Sequence, residues 1–205
     1  TLTAVDSVII VIDGAKGVET QTRRLMDVCR MRKTPVIVFI NKLDRPSKDP
    51  FDLLDEVENE LKIKVRPLAF PISSGDTFKG VYNIYEKNLS LFTSDERQTA
   101  DAETVNISDL ASKEIEQYIG ENFAKQLREN VDLVEGVYEP FRREDYLAGE
   151  LAPVFFGSAV NNFGVRELLE CFIRIAPSPR NATTATRMVE PSENKLTGFV
   201  FKIHA

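Results

Sequence analysis

The chain has 205 residues, of which 42% are hydrophobic and 28% charged, with a formal net charge of −6. That composition suits one sizeable folded core and argues against a uniformly basic nucleic-acid binder, leaving room only for local basic patches. His204 is the sole histidine, which disfavours a histidine metal site and histidine acid–base chemistry, and no apolar run reaches bilayer length.

In chain order, residues 8–12 form a continuous β-branched run, the pattern of a strand buried on both faces of a parallel sheet. Gly14 and Gly17 interrupt it. Between Glu19 and Arg32, the apolar residues Leu25, Val28, Cys29 and Met31 recur at helical spacing among charges, and Pro35 ends that element. Residues 36–40 repeat the buried-strand pattern. A polar loop over 41–50 and an amphipathic helix carrying Phe51, Leu54, Val57 and Leu61 follow. Strand, helix, strand, helix with short connections predicts an α/β domain with right-handed crossovers.

The pattern changes after Lys64. Residues 65–93 hold short alternating segments around Gly75 and Gly80, as in an antiparallel hairpin or meander. Residues 94–104 read as a polar loop, 108–138 as one or two amphipathic helices, and 140–149 as a short one. Phe70, Phe78, Tyr82, Tyr85 and Phe92 are the expected core of this part. Val154, Phe155 and Phe156 restore the buried-strand pattern, and residues 165–175 form a helix stopped by Pro177 and Pro179. A Pro-, Ser- and Thr-rich linker follows, and residues 197–203 alternate like a strand. Cys29 and Cys171 form no C-x-x-C pair and are expected as two buried free thiols.

The chemistry concentrates at Asn41-Lys42-Leu43-Asp44, directly after the second buried strand. Ligands of open α/β sheets bind at such strand ends. An N-K-x-D sequence there suits guanine, which presents N–H donors at N1 and on its 2-amino group. The Asp44 carboxylate accepts both in one charge-assisted pair. The aliphatic stem of Lys42 covers a base face, and Asn41 ties the loop to its neighbours. Gly157-Ser158-Ala159 follows the third buried strand, where the Ala159 N–H is expected against guanine O6. Val160 stands where such loops often carry Lys. The bland alternative is a polar loop with Asp44 near a helix start. The arginines of the first helix and the carboxylates of residues 52–60 read as solvated helix faces, with no metal site.

Together with Thr3-Ala4-Val5-Asp6, Val11-Ile12-Asp13 and Gly17-Val18, these loops resemble the GTPase domain of ribosomal translocase-type factors such as elongation factor G. The 53–61 segment LLDEVENEL, Phe78-Lys79-Gly80-Val81-Tyr82 and Asn162-Phe163-Gly164-Val165 are more similar to the peptide chain release factor 3 family. The resemblance implies a partial P-loop-GTPase-type parallel sheet with an inserted α+β subdomain, then the first strand of a β-barrel domain. It divides the chain into 1–64 and 151–178 (GTPase domain), 65–150 (insertion), 179–194 (linker) and 195–205 (start of the barrel). It further implies GTP or GDP with Mg²⁺ as cofactor and cytoplasmic location. The implied partners are the ribosome, through its RNA and proteins, and the stop-codon-reading class I release factors, with no membrane. Asn41, Lys42, Asp44, Ser158 and Ala159 are the implied base-contacting residues. Elongation factor G-like or ribosomal protection GTPases, and a non-enzymatic docking module, are the alternatives.

The sequence contains no G-x-x-x-x-G-K-[ST] and no D-x-x-G. It therefore offers no phosphate cradle, no γ-phosphate switch and no catalytic residue of the family's kind. The expectation is a chain lacking the amino-terminal part of its GTPase domain. By itself such a chain would hold guanine nucleotide no better than about millimolar, and it would self-associate through the exposed strand at residues 7–12.

Overall fold

A computed structural model describes residues 5–92, 104–200 and 203. The first half runs β1 (Val8–Asp13), α1 (Thr20–Arg32), β2 (Val36–Asn41), α2 (Pro50–Leu61) and β3 (Lys64–Pro67). An antiparallel set follows: β4 (Ala69–Ile72), β5 (Gly80–Asn83), β6 (Asn88–Leu91) and β7 (Thr104–Asn106). Then come α3 (Glu114–Ile119), α4 (Glu121–Val137), α5 (Arg143–Ala148), β8 (Leu151–Phe156) and α6 (Val165–Ile175), and a two-residue-per-strand hairpin of β9 (Ala182–Thr183) and β10 (Met188–Val189).

The three predicted buried runs, with β3 added, build a four-stranded parallel sheet in the order β1-β2-β8-β3. β2 lies inside it, and Val36, Ile37, Val38, Phe39 and Ile40 are each no more than 2% exposed. Burying each such side chain contributes about 1.5–3 kcal/mol, so this strand anchors the core. β1 occupies an edge. Its Ile10 and Ile12 are buried while Val11 is 56% exposed. α2 starts where the chemistry requires. Asp49 accepts from the Phe51 and Asp52 amides at 2.8 and 3.4 Å, and Pro50 sits in the first turn.

The second sheet has the order β4-β5-β6-β7, the expected meander. Both of its faces are covered. Phe70, Phe78 and Val81 join the core of the parallel sheet, whereas Ile72, Tyr82 and Leu89 pack with Ile115, Ile119, Leu127 and Val131 of α3 and α4. The two sheets therefore share a core. Tyr85, expected inside, is instead 52% exposed and meets Phe141 edge-on. Its neighbours in the turn after β5 are the polar residues Glu86 and Lys87, which keep the turn at the surface.

The division expected at residue 65 falls inside β3, whose residues 64–67 pair in parallel with residues 151–154 of β8. This short strand carries Lys64, Arg66 and Pro67 and shows no apolar run, so only its pairing partner reveals it. Buried Arg66 then fastens α4 to it, donating to the Tyr138 carbonyl at 3.0 Å and pairing with Glu135 at 2.6 Å. Within the expected polar loop, Thr104 opens β7, and residues 93–103 lie outside the described residues. So do Thr3 and Ala4 of the resemblance, and part of the expected terminal strand. Its residues 197–200 form no strand.

Candidate functional site

Register brings the carboxyl ends of three parallel strands side by side. Asp13 of β1 lies opposite Asn41 of β2, and Ile40 opposite Phe156 of β8. The loops leaving these ends are tied to one another through the backbone. Gly14 N–H donates to the Asn41 carbonyl at 2.8 Å, Leu43 N–H to the Gly157 carbonyl at 3.1 Å, and Gly157 N–H to the Ile40 carbonyl at 2.9 Å.

All five predicted site residues fall within this cluster. Asn41 Oδ1 accepts two N–H groups at 2.8 Å each, from Lys42 and from Ala159. It thus joins the N-K-L-D loop to the Gly-Ser-Ala loop, 118 residues away in sequence. The Ala159 N–H expected to meet guanine O6 is here satisfied by Asn41. Lys42 adopts a left-handed backbone, φ +71°, uncommon outside glycine. Its ammonium pairs with Asp13 at 2.7 Å. The Asp13 carboxylate also accepts from the Ala15 amide at 2.9 Å. The Lys42 bond, ahead of the opposing effect of burial, holds the Asp13 carboxyl below the usual aspartate value.

Asp44 is the informative residue. Its side chain is 17% exposed, with Arg45 Nε 3.8 Å from one oxygen, and the other oxygen, Oδ1, is buried with no hydrogen-bond partner. Buried carboxylate oxygens nearly always have partners, since desolvation without a bond is costly. Asp44 does not cap the following helix, since Asp49 caps α2. Oδ1 is thus an unpartnered acceptor within the strand-end cluster.

Ser158 is fully buried, and its hydroxyl accepts from Asn161 Nδ2 at 2.8 Å, so it braces the loop and does not face a ligand. Gly157 has no room for a side chain. An added Cβ would lie 2.3 Å from the Phe163 carbonyl oxygen and 2.9 Å from the Phe39 ring. Val160 is 83% exposed. Two participants escaped the sequence reading, Asp13 as the partner of Lys42 and Phe163 as the partner of Ser158. Asp13 was visible as an acid at a strand end. Phe163 carried no signal of its role. A cleft of about 370 Å³ beside α2 and α4 shares only Leu43 with the N-K-L-D loop, so the strand-end cluster is a separate surface. Among the described residues no group of His, Cys, Asp and Glu is arranged to hold a metal ion.

A parallel α/β sheet joins its N-K-x-D and Gly-Ser-Ala loops at adjacent strand ends. The family model for the elongation factor Tu GTP binding domain matches residues 1–178, and the chain belongs to that family. It is thereby a member of the translational GTPase superfamily, which binds GTP or GDP with Mg²⁺ and typically acts on the ribosome. No helix among the described residues is long and apolar enough to cross a membrane.

Proposed function

We propose that Asn41, Lys42, Asp44 and the Ala159 N–H read guanine for a translation factor of the release factor 3 type, with Ser158 bracing the Ala159 loop. The observation that carries the guanine reading is the Asp44 carboxylate, partly exposed and with one oxygen unpartnered, on the loop that Asn41 ties to Ala159. A carboxylate so placed accepts the two guanine donors and would be repelled by the acceptors of other bases. Lys42, drawn over the strand ends by Asp13, offers its methylene stem to the base face. The Ala159 N–H reaches guanine O6 by sharing or leaving its bond to Asn41. The 205 residues contain no P-loop sequence, so their part is base recognition.

The choice of termination over elongation rests on the 53–61 segment, the Phe78–Tyr82 segment and the Asn162–Val165 segment, which favour the release factor 3 pattern. The intact protein is expected to speed departure of a stop-codon-reading factor from terminated ribosomes in a GTP-dependent way. Asp44→Asn is expected to move that dependence from GTP to XTP. No acceleration with any nucleotide removes the termination role, and an unchanged GTP requirement in the variant removes Asp44 from base reading.

A further inference from the structure

The second sheet grips both base-reading loops. The 3-10 turn at Gly75–Thr77 presents the Gly75 amide to the Leu43 carbonyl at 2.9 Å, in the middle of the N-K-L-D loop. Gly75 has φ +63°, and a Cβ there would lie 3.3 Å from Pro46 N, so this backbone lies close against the same loop. On the other loop, Ser158 and Phe163 bond to each other in both directions. Ser158 N–H donates to Phe163 O at 3.0 Å, and Phe163 N–H to Ser158 O at 2.9 Å. The Phe163 ring, 3% exposed, meets Phe78 and Phe92 edge-on, with centroids at 5.4 and 5.5 Å, and those two rings are 5.0 Å apart. α6, which continues from this loop, is held to the second sheet by bonds from Ser90 to Glu167 and from Arg174 to Glu86.

We infer that Phe163, packed edge-on against the Phe78–Phe92 pair, is a positioning residue for base recognition: the second sheet sets the spacing between the Ala159 amide and the Asp44 carboxylate. The inference rests on the guanine reading above. The physical reason is stiffness. Edge-on aromatic contacts and a close-packed core allow few alternative arrangements, so the loop inherits the position of the rings. Asn41 completes the circuit by joining Ala159 to the loop that Gly75 holds. A change in how the second sheet packs would therefore alter base discrimination without touching a base-contacting residue.

The test compares Phe92→Leu and Phe163→Leu with the parent protein in two measurements. The first is amide hydrogen exchange in the nucleotide-free chain, read at Ser158 and Ala159 against Val38 in β2. Exchange at Ser158 and Ala159 is expected to quicken about tenfold while Val38 changes little, as the loss of one or two aromatic edges implies. Equal quickening at all three sites, or none at Ser158, overturns the inference, because it leaves Phe163 a merely structural core residue. The second is the ratio of affinities for guanosine and inosine diphosphate in the intact protein. Inosine lacks the 2-amino group that Asp44 would bond. A folding defect lowers both affinities together, whereas a displaced Ala159 loop that tilts the base, and with it the 2-amino group, away from Asp44 is expected to shrink the ratio about five- to tenfold. A ratio unchanged in both variants overturns the inference. Asp44→Asn separates the two readings. If that variant leaves the ratio intact, the guanine reading fails, and the exchange measurement alone decides whether the second sheet positions the loop.

Discussion

Asp44→Asn exchanges a carboxylate for an amide of nearly the same shape at the one buried side-chain oxygen of the strand-end cluster that has no partner. Two effects of opposite sign follow. In the nucleotide-free chain the variant is expected to be as stable as the parent or more so. Oδ1 is shielded from water with no bond to offset its desolvation, and Arg45 lies 3.8 Å from the other oxygen. In the nucleotide complex the variant loses a charge-assisted pair to guanine. Such a partly buried pair contributes about 2–4 kcal/mol, equivalent to roughly 30- to 1000-fold in GTP affinity. Xanthine carries a carbonyl where guanine carries its 2-amino group. The asparagine amide donates to it, so XTP affinity is expected to rise as GTP affinity falls. The assay is competition between GTP and XTP for the intact parent and variant proteins, with a urea melt of each. Equal loss of both nucleotides together with a lower melting midpoint would make Asp44 a structural residue and refute the reasoning. So would unchanged GTP binding.

Asp13 gives a pH signature. Its carboxyl is held low mainly by Lys42, so its stabilising contribution is fully present above about pH 4 and is lost as pH falls through its lowered folded value. Lys42→Met is expected to bring the Asp13 titration upward in carboxyl-resolved NMR, and a titration that does not move would break the assigned pair. Cys29 and Cys171 are both buried free thiols, the latter pushed up to about 11 chiefly by burial. Neither is expected to react with a disulfide reagent at pH 8 until denaturant is added, and fast labelling of the native chain would contradict the packing. Among the described residues β1 pairs only with β2, and Val11 is half-exposed on it. The chain is expected to associate with rising concentration, and Val11→Lys to suppress it. Light scattering showing a monomer throughout would argue that this edge is protected.

Local signals determined much of this protein by themselves. Runs such as residues 36–40 have a single low-energy use, as a strand covered on both faces. The helices at Thr20–Arg32 and Val165–Ile175 follow from apolar spacing with Pro shortly after their ends, and that at Pro50–Leu61 from apolar spacing begun by the Asp49 cap and Pro50. The place of Asn41, Lys42 and Asp44, the proposed base readers, was legible because they follow directly after such a strand. Tertiary structure alone decided the rest. β3 exists because β8 offers it a partner. The expected core residue Tyr85 is at the surface because its turn is polar. Asn41 reaches Ala159, and Phe163 reaches Ser158, Phe78 and Phe92, through strand register and ring packing between segments distant in sequence. Such contacts depend on where two separately encoded elements meet, and no local pattern records that meeting. The unpartnered oxygen of Asp44 belongs here too, since whether an acceptor is satisfied depends on every neighbour the fold brings to it.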